Sequence, residues 1–365
     1  IYLLWLGICV CLDARNISKL PTKNIYAKEF FYAYHHLSSI YKNVNIVEFN
    51  NSKDSTFDKL LRKLTDLPFF SSKIINKSNI NLFLKTNVLI LTNQRVGFST
   101  LPLLMILKII KRIKVNIFIM GLFDKKTNYR IKSFFRSIFI GVLIIFSNKL
   151  IFLSKGEYDY ALNKMPFWKK KFIFIPFSVD VDFWKFKEKD NNKREVLFIG
   201  NDGQRDYEFV IKLAKSLNNF HFTFVTNRIL PEEIQSDNVT LINGSWGNDN
   251  FSDEFIHQLY TSASITIIPI KESLQPSGQS VALQSMSSGT PVIITKTNGF
   301  WAPNDFKDDE NILFVSTNEI TEWKNRINSI INDKDLSKTI SINAKNTISS
   351  KYTLKIFDKK ISDLI

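Results

Sequence analysis

Residues 276–294 place a polar loop before a short apolar helix and a buried strand. Ser277 or Ser280 is expected to cap that helix and Gly289 to end it, and the β-branched run that follows is typical of a buried strand. A loop that opens a helix leaves backbone N–H groups at the positive end of the helix dipole, where phosphate groups bind. An ordinary strand–helix–strand connection is the alternative. The candidate phosphate ligands here are Ser277, Gly278, Gln279 and Ser280.

A second turn combines glycine with a basic side chain. Residues 200–206 read Gly-Asn-Asp-Gly-Gln-Arg-Asp, after a buried strand and before a helix. The two glycines allow a ligand to approach the backbone closely, and the planar guanidinium of Arg205 suits a diphosphate. Because Asp202 and Asp206 flank Arg205, a salt bridge in a surface turn is the alternative. The candidate ligands in this turn are Gly200, Asn201 and Arg205.

Three segments together resemble the GT-B glycosyltransferases of glycosyltransferase family four. Residues 276–294 resemble the stretch that holds the nucleotide sugar in that family. Ile175–Trp184 resembles the linker between its domains, and Val196–Asn201 resembles the first strand and turn of its second domain. The segments follow one another in the expected order, whereas the first half of the chain resembles the family only in outline.

The resemblance implies an α/β fold of two Rossmann-like domains that face each other across a cleft, the GT-B fold. The expected boundaries are an N-terminal acceptor domain at 1–176, a linker at 177–192, a nucleotide-sugar-binding domain at 193–350 and a helix at 351–365 that returns to the first domain. The length of 365 residues is sufficient for two hydrophobic cores. Pro176 and the polar residues up to Arg194 favour a linker in the same place.

Apolar runs alternate with helical patterns in both halves, which is typical of parallel sheets covered by helices. The predicted strands are Tyr2–Cys11, Val44–Phe49, Val88–Leu91, Asn116–Met120, Leu150–Leu153, Val196–Ile199, Phe222–Val225, Val239–Ile242, Ile265–Ile268 and Pro291–Ile294. The predicted helices are Ile25–Ile40, Thr56–Leu67, Leu101–Lys111, Asn128–Phe146, Tyr158–Asn163, Tyr207–Leu217, Asp253–Thr261, Ser280–Ser287, Glu319–Asn332 and Tyr352–Ile365.

The chain departs from the family at a pair of glutamates spaced Glu-x₇-Glu. Alignment on the Thr290–Ile294 strand puts the two positions at Pro276 and Gln284. Gln284 can still form a hydrogen bond with a ribose or sugar hydroxyl, but it carries no charge. Glu272 is a candidate substitute through a shift of the loop. The resemblance implies catalytic roles for Arg205 and Gln284, with Glu272 among the donor ligands.

The first half offers three candidates for the acceptor side. Asn93 and Arg95 follow a predicted strand, where an α/β sheet presents its ligand loops, and an exposed loop without a ligand is the alternative. Family members often place a histidine near the sugar in this half. The matching segment Met120–Phe123 contains none, and Gly121 is its candidate residue.

The sequence offers little for a metal or another cofactor. It contains two cysteines, Cys9 and Cys11, which are too few for a zinc site of the Cys₄ type. They share one face of a predicted strand and lie too close together for an ordinary disulfide, so a reducing cytoplasm is the expected compartment. We expect no metal and no cofactor other than a nucleotide-sugar co-substrate, with diphosphate charge stabilised by helix N-termini and Arg205.

Positive charge is concentrated in the first half. The net charge is +15, with +18 in residues 1–180 and −3 in the remainder. This asymmetry favours an acidic partner for the first half, either anionic membrane lipid or nucleic acid. Basic and aromatic residues interleave over Lys125–Phe139 as they do in interfacial helices, although a core helix with a solvated basic face gives the same pattern. The uncharged run Ser137–Asn148 is too short to span a bilayer.

The expected activity is sugar transfer from a nucleotide-sugar donor to a cell-envelope polysaccharide, lipopolysaccharide or lipid-linked acceptor. We expect a retaining, metal-independent reaction in the cytoplasm, with peripheral attachment to the inner face of the cell membrane. One alternative is a basic nucleic-acid-binding protein, which the charge favours but which lacks an RNP motif. Another is a GT-B enzyme that acts on the nucleotide sugar alone. We expect no nucleic-acid partner.

Overall fold

The computed structural model describes residues 6–13, 26–124, 129–187, 194–244 and 251–365. The chain divides into two compact units. The first comprises Ile1–Leu20, Phe30–Ile175 and Phe357–Ile365, and the second comprises Pro21–Glu29 and Pro176–Ile356.

The first unit is built on a parallel sheet of six described strands in the order β2-β1-β3-β4-β5-β6. Val88–Leu91 is buried on both faces, which explains its continuous apolar sequence. The strands, numbered in chain order, are β1 Gly7–Leu12, β2 Asn43–Glu48, β3 Val88–Leu91, β4 Lys114–Ile119, β5 Lys149–Phe152 and β6 Phe172–Phe174.

Helices cover both faces of this sheet. The described helices are α1 Tyr34–Ile40, α2 Thr56–Thr65, α3 Lys77–Lys85, α4 Gln94–Ile110, α5 Arg130–Phe146, α6 Lys155–Lys164 and, at the end of the chain, α12 Leu354–Ser362. Adjacent residues of β4 show that two helices lie on opposite faces, because consecutive strand side chains point to opposite sides. Ile117 approaches Gly97 of α4, whereas Phe118 stacks with Phe357 of α12 at 5.8 Å.

The second unit contains another parallel sheet of six described strands, in the order β12-β11-β10-β7-β8-β9. Its strands are β7 Glu195–Ile199, β8 His221–Val225, β9 Val239–Ile242, β10 Ile265–Ile268, β11 Val292–Thr295 and β12 Leu313–Val315. Its helices are α7 Tyr207–Lys215, α8 Asp253–Ser262, α9 Gln279–Ser287, α10 Ile320–Asn332 and α11 Lys334–Lys351. Both units are therefore α/β, and the predicted fold class is confirmed.

The ten predicted strands are present, but several other elements were missed or misplaced. The three-residue strands β6 and β12 and the polar helices α3 and α11 are not among the predicted elements. The helix predicted from Leu101 begins at Gln94. Of the helix predicted over Ile25–Ile40, Ile25 lies outside the described residues, Glu29–Phe31 form a 3₁₀ turn, and the α-helix begins at Tyr34. Short edge strands and helices with few apolar residues give weak periodic signals, which accounts for these errors.

The predicted basic-aromatic run Lys125–Phe139 does not form one exposed face. Lys125 and Lys126 lie outside the described residues. Arg136 is buried, and its guanidinium donates hydrogen bonds to the carbonyl oxygens of Asp66 and Leu122, at 3.0 and 2.7 Å. Arg136 therefore links α5 to the neighbouring loops and is not part of an exposed basic face.

Cys9 and Cys11 are buried free thiols on β1. Their Sγ atoms are 3.9 Å apart, and burial raises the pKa of Cys11 well above its usual value. The expectation that they do not form a disulfide is confirmed.

Within the described part of the chain, no helix is both long and apolar enough to cross a bilayer.

Candidate functional site

Two loops of the second unit are joined at the carboxyl edge of its sheet. One follows β7 and contains Arg205, and the other leads from β10 to α9. The Asp206 N–H donates to the Pro269 carbonyl at 3.0 Å, and the Lys271 N–H donates to the Gln204 carbonyl at 2.8 Å. The backbone itself therefore fixes the loop of Arg205 beside the loop that precedes α9.

The Arg205 side chain is held inside this junction. It is 2% exposed, and its Nη1 donates to Ser277 Oγ at 2.6 Å and pairs with Asp202 Oδ2 at 3.0 Å. The Ser277 hydroxyl in turn donates to Asp202 Oδ2 at 2.8 Å. Arg205 Nε is buried and has no hydrogen-bond partner among the described residues. The alternative of a surface turn is wrong, whereas the salt bridge to Asp202 is present.

Two glycines make room for this arginine. A Cβ at Gly200 would lie 2.6 Å from Arg205 Nε, closer than real Cβ atoms come. Gly278 has φ of +80°, and a Cβ there would lie 2.6 Å from Ile268 Cγ2 and 3.4 Å from Arg205 Nη1. Gly200 was expected to let a ligand approach the backbone. In the structure the space beside Gly200 is filled by the side chain of Arg205.

The start of α9 differs from the prediction. Gly278 occupies the N-cap in a left-handed conformation, and neither Ser277 nor Ser280 caps the helix with its side chain. Ser277 is unable to cap because its hydroxyl is engaged with Arg205 and Asp202. The positive end of α9 thus lies beside a buried guanidinium, an arrangement that attracts phosphate.

The other end of α9 follows the prediction. Gly289, just beyond the helix, has φ of +90°, a conformation that favours glycine, so it ends the helix as expected. Of the remaining candidates at the start, Gln279 is buried and Ser280 is half-buried in the first turn.

Asn201 organises the same loop. Its Oδ1 accepts hydrogen bonds from the Thr226 hydroxyl at 2.9 Å and the Asn227 N–H at 2.7 Å, while its Nδ2 donates to the Gly244 carbonyl at 2.9 Å. These bonds tie the ends of β7, β8 and β9 together. Asn201 therefore acts as a scaffold for the loop that positions Arg205.

Gln284 lies in the interior of the second unit. It is fully buried, its Nε2 donates to Glu29 Oε1 at 2.8 Å, and its Oε1 accepts from the Tyr260 hydroxyl at 3.2 Å. The Trp184 indole N–H donates to the same oxygen of Glu29 at 2.8 Å. The described contacts of Gln284 are thus with protein groups, and its role toward a donor stays a prediction.

Glu272, the predicted substitute for the missing glutamate, is exposed. Its Oε1 accepts from the backbone N–H and the side-chain amide of Asn298, at 3.1 and 3.0 Å. The carboxylate therefore binds the loop after β11, and no described contact joins it to Arg205.

The sequence of the second unit matches a known enzyme family. Residues 185–347 match the family model described as glycosyl transferases group 1. The second unit is a group 1 glycosyltransferase domain. The protein is therefore an enzyme, and the resemblance seen in its Arg205 loop and α9 segment, which lie within the matched residues, is confirmed.

Solved structures with the GT-B fold cover nearly the whole chain. Sucrose-phosphate synthase from Thermosynechococcus elongatus is 13% identical over 98% of each chain, with a TM-score of 0.70. Anabaena HepE, in complex with UDP, is 14% identical over 98% of this chain and 99% of its own, with a TM-score of 0.69. A glycosyltransferase from Rickettsia africae is 14% identical over 98% and 97%, with a TM-score of 0.63. At these identities the likeness shows the fold. A comparison with curated proteins finds no match.

In the first unit, two predicted acceptor-side residues come together at the start of α4. Asn93 caps α4, since its Oδ1 accepts the Val96 N–H at 2.8 Å, and its Nδ2 donates to Asp13 at 3.2 Å. Arg95 pairs with the same carboxylate at 3.2 Å and stacks over Phe70 at 4.3 Å. The segment expected to be a loop, either a ligand loop or an exposed one, is thus a helix start, because Asn93 supplies its cap.

The third acceptor-side candidate, Gly121, is held by a residue that the sequence reading missed. Gly121 has φ of +90°, and its N–H donates to Glu157 Oε2 at 2.8 Å, while the Phe123 N–H donates to Oε1 at 3.0 Å. Burial raises the pKa of Glu157 to about 7 although these bonds oppose the shift. The pattern Ser154-x-x-Glu157, a capping-box signature, is the signal that could have identified it.

Among the residues that the structure describes, no group of three or more His, Cys, Asp or Glu side chains is placed to hold a metal ion.

Proposed function

We propose that the protein transfers a sugar from a uridine-nucleotide sugar to a glycan or lipid-linked acceptor of the cell envelope. The observation that carries the donor half is the buried Arg205 beside the start of α9, inside a domain that matches a glycosyltransferase family. UDP is the first nucleotide to test because HepE, which shares the fold, was solved with UDP and with UDP-glucose.

The chemistry proposed for this site is charge stabilisation of the leaving diphosphate. When the bond between sugar and phosphate breaks, negative charge grows on the diphosphate while the sugar becomes oxocarbenium-like. The guanidinium of Arg205 and the N–H groups at the start of α9 are held in place before the reaction, so they stabilise that charge at little reorganisation cost. A metal-independent transfer with retention of configuration is part of this proposal.

The part of the proposal that concerns the acceptor depends on features of the first unit. Its charge of +18 over residues 1–180 suits an anionic acceptor or an anionic surface that carries one. Asn93, Arg95 and Asp13 form a polar group at the carboxyl edge of its sheet, where α/β folds bind ligands. We place the enzyme on the cytoplasmic face of the cell membrane, with an envelope precursor as acceptor.

Nucleotide binding tests the donor half. Thermal unfolding is measured with UDP, GDP, ADP and dTDP, with and without EDTA. A nucleotide at a hundred times its dissociation constant should add about 2.7 kcal/mol to the free energy of unfolding. We expect UDP to stabilise the protein and EDTA to leave that effect unchanged. An absence of stabilisation by all four nucleotides contradicts the proposal, and a shift with oligonucleotides alone points instead to nucleic-acid binding.

Transfer itself is tested with labelled sugars. UDP release from UDP-sugars is followed with and without lipid-linked envelope precursors, and the anomeric configuration of the product is determined by NMR. Acceleration of UDP release by the precursor, with label in the glycan, supports the proposal. Conversion of the nucleotide sugar without an acceptor would show that the enzyme acts on the donor alone.

A further inference from the structure

Helix α5 presents an apolar stripe to solvent. Ile131, Phe134, Ile138 and Ile145 are all exposed, and their spacing of three, four and seven residues puts them on one side of the helix. The opposite side is buried, and Leu143 on it lies beside Gly97 of α4. An exposed stripe of this kind is unusual in a helix of a folded domain, where the outer face is normally polar.

The neighbouring helix α4 also exposes apolar side chains. Near its carboxyl end Ile109 is 83% exposed, and Ile106 is also exposed. The two helices lie side by side, since Lys108 of α4 donates to Asn148, just after α5, at 2.7 Å. We call this region the α4–α5 surface. It consists of Ile106, Ile109, Ile131, Phe134, Ile138 and Ile145.

The stretch of sequence that contains the α4–α5 surface is strongly basic. Residues 101–171 contain fifteen Lys or Arg and three Asp or Glu, and one of the three, Glu157, is fully buried. Lys169 and Lys170 are exposed in the turn Pro166–Lys171, beside the exposed Phe167. This turn adjoins the end of α5, because Lys171 Nζ donates to the carbonyl of Ile144 at 2.7 Å.

The positive charge near this surface favours an anionic bilayer over a second copy of the chain as its binding partner. A second copy of the chain would bring two cationic borders together and be repelled. A bilayer with anionic headgroups offers negative charge to the lysines and acyl chains to the isoleucines and Phe134. We propose that the α4–α5 surface docks the enzyme on an anionic membrane, with the apolar stripe entering the interface. This rests on the proposed function for its purpose, since docking would present a lipid-linked acceptor.

Co-sedimentation of the full chain with vesicles tests the docking. The vesicles contain phosphatidylcholine alone or phosphatidylcholine mixed with phosphatidylglycerol. We expect sedimentation with the mixed vesicles and only partial release by salt, because the apolar contact is insensitive to screening. Phe134→Ser/Ile138→Ser should weaken binding about tenfold. Lys169→Gln/Lys170→Gln should weaken it about thirtyfold, since each lysine contributes about a fivefold effect.

Matched variants control for general effects of substitution. Leu230→Ser/Ile342→Ser, in the second unit, replaces side chains that are 52% and 40% exposed, against 63% and 43% for Phe134 and Ile138. Lys359→Gln/Lys360→Gln removes two exposed charges from α12, on the opposite face of the sheet from α4. Both controls should bind vesicles as the wild type does.

Three results would overturn the docking proposal. They are equal sedimentation with neutral and mixed vesicles, no sedimentation with either, and surface variants that bind like the wild type. A dimer in sedimentation velocity that Phe134→Ser/Ile138→Ser dissociates would assign the surface to a second copy instead. UDP binding is measured on the same samples. If the wild-type protein does not bind UDP, the proposed transferase activity is contradicted, whereas the conclusion from the vesicles is unaffected.

Discussion

Gln284 donates a hydrogen bond of 2.8 Å to Glu29 across 255 positions of sequence, and both side chains are buried. The accepting oxygen also receives the indole N–H of Trp184 at 2.8 Å. A buried carboxylate requires donors, and the amide of Gln284 is one of them. In the family that the sequence resembles, this position carries a glutamate, which cannot donate when ionised. The amide at 284 and the carboxylate at 29 therefore form a matched pair.

Exchange of the two chemical groups tests this pair. Gln284→Glu should lower the free energy of unfolding by about 3 kcal/mol, because it sets two carboxylates against each other without a donor between them. Glu29→Gln/Gln284→Glu restores a donor facing an acceptor, so its loss should be clearly smaller than the sum of the two single losses. Urea unfolding of the four proteins gives the coupling energy.

Gln258→Glu on α8 is the control for this cycle, since it makes the same change at an exposed position. It should change the free energy of unfolding by less than about 0.5 kcal/mol. Additive losses in the double variant would show that Glu29 and Gln284 do not interact.

The sequence identified Gln284 as a departure from the family but could not identify its partner. Local periodicity reveals contacts within an element, whereas the Glu29–Gln284 bond joins residues far apart in the chain. Glu29 falls within the helix predicted over Ile25–Ile40. In the structure Glu29 begins a short 3₁₀ turn, and its carboxylate reaches α9.

Arg205→Lys separates charge from geometry at the donor site. Lysine keeps the positive charge but loses the planar fork that contacts Ser277 and Asp202. We expect UDP to bind about ten to a hundred times more weakly, which corresponds to about 1.5–3 kcal/mol for a charge-assisted contact. Isothermal titration calorimetry with UDP measures the change. Lysine is preferred to alanine because Arg205 is buried, and alanine would leave Asp202 without its cation.

Arg326→Lys serves as the comparison for Arg205→Lys. Arg326 on α10 also pairs with aspartates, Asp308 and Asp309, at 2.5 Å each. Its replacement should leave UDP affinity unchanged. An Arg205→Lys protein that binds UDP as tightly as the wild type would remove Arg205 from the donor site.

Gly278→Ala should disturb both stability and donor binding. Its φ of +80° costs a non-glycine residue about 1–2 kcal/mol, and the added Cβ meets Ile268 at 2.6 Å. The same Cβ lies 3.4 Å from Arg205 Nη1, so the loop must shift next to the guanidinium. Thermal unfolding and UDP titration together record the two effects. Gly203→Ala is the matched control, since no atom lies within 4 Å of its added Cβ. Equal stability of the two variants would contradict this account.

Ten of the twelve described strands could be predicted because each is a short apolar run, most of them with β-branched residues, whereas the three-residue strands β6 and β12 could not. The glycine at 289 was also predictable, since a glycine after an apolar helix is a common stop. The burial of Arg205 was not predictable from its neighbours. It depends on space left by Gly200 and on Ser277, which comes from a loop some seventy residues later. Side-chain partners of this kind are set by tertiary packing rather than by local pattern.

Glu157 should make the stability of the protein depend on pH. Burial raises its pKa from 4.5 to about 7, with Asp124 adding to the shift and the N–H groups of Gly121 and Phe123 opposing it. Between these two pH values the folded state binds a proton that the unfolded state has released. The free energy of unfolding therefore falls as pH rises from about 4.5 to about 7, and this contribution is constant outside that window.

Glu157→Gln isolates this effect because glutamine does not titrate. The free energy of unfolding of the wild type, relative to that of the variant, should fall by on the order of 3 kcal/mol between about pH 4.5 and about pH 7. Below about pH 4.5 the variant should be less stable than the wild type by about 1–3 kcal/mol, since an amide offers one oxygen to two backbone N–H groups, and this deficit should shrink or reverse as the pH rises to about 7. Urea unfolding across this range gives the comparison, and Glu254→Gln, at an exposed position on α8, is its control. A difference between wild type and Glu157→Gln that stays constant across the window would show that Glu157 keeps its charge in the folded protein, held ionised by the N–H groups of the loop after β4.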